Sequence, residues 1–177
     1  MDIVILTIDD SSDHYKATID SLSRNQFLND NLHHNYGIVR DYNVSSRVMD
    51  SWKRWFKDVD QINFDLLLME DDVIVQVKID DFKKKLKRDK INWVFYQKRF
   101  KEYRSQSWIP VGSQGIFIPK ELFKEFKWNL LSSKSIHFDR WLSRLDNIYY
   151  SCEPKEFGIE LEKMSSTLGR VRKGLKY

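Results

Sequence analysis

An α/β fold is predicted for this chain, with a mostly parallel central sheet and helices on both faces, from three observations. The strand candidates are short apolar runs without polar alternation, IVILTI at 3–8 and FDLLLM at 64–69, as expected of strands buried on both sides. Segments with apolar residues at helical spacing lie between them, which is the pattern of strand–helix–strand units. The 177 residues are 41% hydrophobic, enough for one real core. No repeat, low-complexity tract or linker divides them, so 1–177 reads as a single domain.

The elements follow in order. After the first strand comes the polar turn Asp9-Asp10-Ser11-Ser12-Asp13, then a helix marked by Tyr15, Ile19, Leu22 and Gln26/Phe27. Ser11, Ser12 or Asp13 suits its N-cap, because a short polar side chain can accept a free backbone N–H there. YGIVRDY at 36–42 reads as a second strand, and the preceding His33-His34 as a polar loop. Val44, Val48, Trp52, Trp55, Phe56 and Val59 trace one face of a second helix. FDLLLM forms the next strand and ends in Glu70-Asp71-Asp72, with Val73-Ile74-Val75 behind it. Ile79, Phe82 and Leu86 mark a basic amphipathic helix. INWVFY at 91–96 is strand-like, residues 97–110 a loop or edge, and Gly115–Ile118 a strand. Pro119 suits the first position of a helix carrying Leu122, Phe123 and Phe126. Phe138, Trp141, Leu142 and Leu145 mark a short helix. A last strand covers Ile148–Ser151, and the tail after Pro154 is polar.

Composition excludes several classes. No apolar stretch approaches the roughly 20 residues that span a bilayer. The N-terminus has no basic region or cleavage site of a secretory signal. The expectation is a soluble, cytoplasmic protein, in host cytoplasm if viral. The plentiful Ile, Asn, Lys and Asp suggest an AT-rich genome, a viral one included. Cys152 is the sole cysteine, which excludes an internal disulfide and a cysteine-based zinc site. A net charge of +4 permits an anionic partner without selecting one. Neither a GxxxxGK[ST] phosphate loop nor a Gly-x-Ser-x-Gly elbow is present.

The strongest chemical signal is the acidic run after the apolar strand. Three neighbouring carboxylates beside a core repel one another, and a divalent cation relieves that repulsion. Mg²⁺ and Mn²⁺ favour carboxylate oxygens and keep phosphate oxygens and waters as further ligands. In open α/β sheets, ligands bind beyond the carboxyl ends of the strands, where this run would lie. If the strand geometry continues, Glu70 and Asp72 share a side and Asp71 points away. A solvated acidic turn is the plainer alternative.

This arrangement resembles the GT-A glycosyltransferases, in particular their small lipopolysaccharide-type and viral branches, in which a strand ends in a DxD-like motif, often EDD. The resemblance extends over nearly the whole chain, though its motifs are short. It implies that Glu70, Asp71 and Asp72 bind metal and nucleotide diphosphate, with Asp72 the direct ligand and Glu70 on the ribose or a metal-bound water. The opening IVILTIDDSSDHYKATIDSL is similar to the family's first strand and loop, placing Thr7, Ile8, Asp9 and Asp10 on the nucleotide. VGSQGIFIPKEL resembles the glycine-containing strand near donor sugar and acceptor, hence Gly115. HFDRWL resembles a late acidic position near the acceptor, making Asp139 the candidate base; the simpler role for Asp139 is to complement the helix dipole. The tail PKEFGIELEKMSSTLG resembles the ending P…HxGxxSS. Relatives there carry a histidine ligand, but this chain has Glu160, whose oxygens can also bind a hard cation, and Glu162 replaces the next glycine. The resemblance implies Mn²⁺ or Mg²⁺, a nucleotide-diphosphate sugar as donor, and a glycan, glycolipid or modified nucleic acid offering a hydroxyl. The chain is short for the class, so the acceptor-binding part is minimal or comes from a partner.

A rival reading draws on the basic residues. KKKLKRDK at 83–90, RVRKGLK at 170–176, and aromatics among Lys98, Arg99, Lys101 and Arg104 suit nucleic acid or a nuclease using the same carboxylates. The plain alternative for KKKLKR is a solvated helix face.

Overall fold

The computed structural model describes residues 1–29, 32–37, 44–94, 115–151 and 158–160. β1 (Asp2–Thr7) leads through a turn to α1 (Asp13–Arg24) and a short 3-10 turn at Phe27–Asn29. Then come β2 (Leu32–Tyr36), α2 (Val44–Asp58), β3 (Leu66–Glu70), β4 (Val73–Val75) and α3 (Ile79–Lys85). β5 (Ile91–Val94) and β6 (Gly115–Ile118) precede α4 (Phe123–Ser132), α5 (Phe138–Leu142), β7 (Ile148–Ser151) and β8 (Gly158–Glu160).

Six strands form the main sheet in the order β2-β1-β3-β6-β5-β7, while β4 and β8 form a two-stranded antiparallel sheet. β1 runs parallel to β2 and β3, and β5 runs parallel to β7. Among the described strands of this sheet only β6 opposes its neighbours, pairing antiparallel with β3 and β5. The mostly parallel sheet predicted from the apolar runs is therefore present.

Strand periodicity explains why those runs carry no polar residues. Val4, Leu6, Leu66 and Leu68 face one way and pack under α2, α4 and α5, through Trp52, Phe56, Phe126 and Trp141. Ile3, Ile5, Leu67 and Met69 face the other way and meet Leu22, Phe27, Ile79 and Phe82 from α1, α3 and the turn between α1 and β2. Each face needs an apolar side chain, so alternate residues cannot be polar. Phe56 anchors the first face, with ring centroids 5.7 Å from Phe123 and 5.3 Å from Phe126. Fully burying a side chain of this size contributes about 1.5–3 kcal/mol.

Several local boundaries differ from the sequence reading. A strand covers Leu32–Tyr36, and His33 and His34 lie on it instead of in a loop; of the run expected at 36–42 only Tyr36 and Gly37 are among the described residues. As an edge strand it has one covered position, Asn35, so it carries no apolar signature. α1 stops at Arg24, and Gln26 adopts a left-handed φ of 64° that turns the chain before Phe27. Ser12 supplies the N-cap, accepting the Tyr15 N–H at 3.1 Å. α3 ends at Lys85 with Leu86 extended, and α5 ends at Leu142. Pro119 precedes a 3-10 turn, Lys120–Leu122, and does not open α4 itself. The tail read as polar contributes strand β8. The 97–110 segment, the basic C-terminus and Cys152 lie outside the described residues.

Candidate active site

The carboxyl ends of β2, β1 and β3 lie level with one another. Thr7 pairs with Tyr36 of β2, and Leu6 pairs with Glu70 of β3, so the next residue of β3's chain, Asp71, stands beside Thr7. The consequence is a buried hydrogen bond: the Thr7 hydroxyl donates to Asp71 Oδ2 at 2.6 Å. That hydroxyl also accepts the Asp9 N–H at 3.1 Å, so one side chain links the loop after β1 to the acidic run.

β3 stops at Glu70, and Asp71 and Asp72 form a turn into β4. The strand alternation expected to separate Asp71 from the other two therefore does not extend through them. All three are buried; Asp71 and Asp72 are each 1% exposed, which sets aside the solvated acidic turn. α1 fixes this turn through its polar face. Thr18 donates to the Asp71 carbonyl at 2.8 Å, Ser21 Oγ accepts the Val75 N–H at 3.0 Å, and Asn25 donates to the Val75 carbonyl at 2.8 Å. The polar residues at positions 18, 21 and 25 share one face of α1 and its C-cap, so a single element grips both ends of the Asp71–Val75 segment.

Other predicted residues sit at the same edge. Gly115 opens β6 opposite Met69 and Val94, next to Glu70 in register. Glu160 is brought to the turn by β8, where it pairs with Val73, the residue after Asp72. β8 can lie this close only because residue 158 is glycine: a Cβ there would meet the Ile74 carbonyl oxygen at 2.4 Å. Asp9 accepts from the Ser11 N–H and hydroxyl, and those bonds lower its pKa. Asp10 accepts the Tyr36 hydroxyl at 2.8 Å, which raises the Tyr36 pKa. Ile8 and Tyr36 are half exposed beside them.

Asp139 stands apart in its bonding. It lies in the first turn of α5, and its Oδ1 accepts the neighbouring Arg140 N–H at 2.8 Å. No hydrogen bond or ion pair joins it to the acidic turn among the described residues.

A row missed in the sequence also belongs to this edge. Tyr15 of α1 hydrogen-bonds His34 Nε2, and the His34 ring stacks on Tyr36 with centroids 5.9 Å apart. His34 and Tyr36 share a face because they are two apart on a strand, a signal hidden by the misplacement of β2. His33 faces away, as adjacent strand residues must.

The donor chemistry of the acidic turn fits a hard divalent cation, since all its side chains offer carboxylate oxygens. Among the described residues no three carboxylate, imidazole or thiol groups converge into a protein-only cage. Mg²⁺-type sites use one or two carboxylates and take further oxygens from phosphates and water.

The sheet order and the single opposing strand give a mixed, mostly parallel α/β fold of the GT-A-like kind. Solved structures share it at low identity. A 4-diphosphocytidyl-2C-methyl-D-erythritol synthase from Anaerococcus prevotii matches at TM-score 0.57 and 12% identity, over 94% of each chain. A glycosyltransferase involved in glycosylating the major capsid of PBCV-1 matches at 0.50 and 10%, over 86% of this chain and 81% of that one. The galactosyltransferase LgtC, in complex with donor and acceptor sugar analogues, matches at 0.51 and 9%, over 85% and 73%. No family model and no curated protein matches the sequence.

Proposed function

We propose that the chain is a metal-dependent glycosyltransferase that moves a sugar from a nucleotide-diphosphate donor to an acceptor hydroxyl. The observation that carries this reading is the buried Thr7–Asp71 hydrogen bond, which holds a metal-type carboxylate turn against the loop after β1. The likeness to LgtC, whose structure contains donor and acceptor sugar analogues, supports it.

In this reading Asp72 and Glu70, with Glu160 from β8, hold Mn²⁺ or Mg²⁺. When bound, the cation would neutralise charge on the leaving diphosphate. Thr7, Ile8, Asp9, Asp10 and Asp71 receive the nucleoside, and the exposed ring of Tyr36 offers a face to its base. Gly115 leaves room for the sugar. Asp139 is the proposed base for an inverting transfer, and a retaining transfer needs none. A glycan, glycolipid or modified nucleic acid serves as acceptor. No helix among the described residues is long and apolar enough to cross a membrane.

A second reading is nucleotidyl transfer, favoured by the fold shared with the diphosphocytidyl-compound synthase. Both are tested by melting temperature with nucleoside triphosphates, diphosphates and nucleotide sugars, with and without Mn²⁺, in the wild type and Asp72→Ala. Ligand binding to the folded state raises the melting temperature by linkage. A Mn²⁺-dependent shift with one nucleotide sugar, lost in Asp72→Ala, supports the glycosyltransferase. A shift with a triphosphate alone supports nucleotidyl transfer. A shift with DNA or RNA and with no nucleotide overturns both.

A further inference from the structure

A cavity of about 270 Å³ lies between the end of α3 and strands β5 and β7, and it shares no residue with the carboxylate turn. β7 is three strand positions from β3 in the sheet, roughly 14 Å at about 4.8 Å per strand. The cavity is open to solvent, with the exposed Lys84, Lys85 and Lys87 as its polar lining, Phe82, Leu86 and Val94 as its floor, and the exposed Tyr149 of β7 beside them. Among the described residues no carboxylate lines it. Lys84 is already paired, with Asp81 Oδ1 at 2.9 Å. Lys85 and Lys87 have no ion pair among the described residues, so two positive charges are left at the cavity.

The lysines stand on a fixed turn. The buried Asn92 accepts the Lys87 N–H through Oδ1 and donates through Nδ2 to the carbonyls of Lys87 and Lys90, all at 2.8 Å. Those bonds use both Nδ2 protons, so Asn92 shapes the site and has no donor left for an anion. Lys87 Nζ sits 5.7 Å from the centre of the Tyr149 ring, which holds the ammonium near the cavity. A rigid turn presenting unpaired ammonium groups over an apolar floor suits a compact anion with an uncharged body.

We propose that this cavity is a second ligand site, which binds a small phosphate monoester such as a phosphorylated monosaccharide. The volume falls just under the roughly 300–1,000 Å³ of sites for drug-sized ligands, which favours a small body over a polymer or a long chain.

Calorimetric titration of the full chain with glucose 6-phosphate and with inorganic phosphate, at fixed ionic strength, tests it. Saturable one-to-one binding of glucose 6-phosphate is expected, tighter than that of phosphate. Lys85→Ala/Lys87→Ala should weaken it about tenfold or more. Lys83→Ala/Lys124→Ala removes the same charge from exposed positions outside the cavity and should leave it unchanged. In the wild type, glucose 6-phosphate should protect Lys85 and Lys87 from amine acetylation, a readout that needs no variant. Equal losses in the two double variants, no saturable binding, or binding only to anionic vesicles or duplex DNA would overturn the proposal.

Discussion

Thr7 and Asp71, 64 positions apart in the chain, are joined by a 2.6 Å hydrogen bond between buried side chains. The bond follows from parallel register, since β1 and β3 end one residue apart. It makes the hydroxyl of Thr7 a positioning group for the acidic turn.

Replacing that hydroxyl with a methyl keeps the volume and removes the donor. Thr7→Val should therefore cost roughly 1–3 kcal/mol, the usual penalty for a buried polar group that loses its partner. Thr7→Ser should retain most of the stability. Urea denaturation of the three proteins checks this. On the proposed function, Thr7→Val should also weaken binding of the nucleotide with its cation more than its loss of stability explains.

Gly158 sets how close β8 comes to β4. The Cβ of an alanine would meet the Ile74 carbonyl oxygen at 2.4 Å and Val75 Cα at 3.1 Å, all backbone that cannot rotate away. Gly158→Ala should detach β8 and speed amide exchange at Ile74, the position of β4 between Val73 and Val75, while leaving β1 and the Val75 N–H held by Ser21 Oγ protected. If Glu160 contributes to cation binding, the same variant should lose it.

Asp65 makes part of the stability dependent on pH. Burial alone would raise its pKa, but the Arg88 guanidinium and the Lys120 N–H, at 3.0 and 3.1 Å from Oδ1, bring it below the usual carboxylate value. A lowered folded-state pKa stabilises the protein above the unfolded value of about 4, and that contribution is lost as pH falls through the folded value. Asp65→Asn should thus be less stable than the wild type at pH 7, with the gap narrowing below about pH 4. A melting series from pH 3 to 7 measures it. A gap that stays constant over that range would mean the ionised carboxylate is not the source.

Phe56 carries the packing of α2 against α4. It is fully buried among Trp55, Phe123 and Phe126. Phe56→Ala should cost about 3–5 kcal/mol, the range for emptying an aromatic site in a core. Because Phe56 is on the sheet face opposite α1, the proposed nucleotide binding should be unchanged in the remaining folded protein.

The fold class was legible because burial on both faces imposes a local rule. A strand covered twice must be apolar throughout, and Ile3–Leu6 and Leu66–Met69 obey it. The acidic run was legible for the same reason, since three carboxylates interrupt that rule abruptly. Helix faces such as Trp52 and Phe56 were read from spacing alone, and Ser12 was among the caps expected for α1. Only the tertiary structure decided the rest. β2 is an edge strand with one covered residue, so its place was set by pairing with β1 and by the Gly37 N–H donating to the Thr7 carbonyl at 2.6 Å. β8 has no strand signal of its own and exists through its partner β4. The link from Thr7 to Asp71, the grip of Thr18, Ser21 and Asn25 on the turn, and the approach of Glu160 to Val73 all join residues distant in sequence. Spacing along a chain encodes which face a residue takes within its own element. Which elements become neighbours, and in what register, is fixed by the packing of the whole sheet.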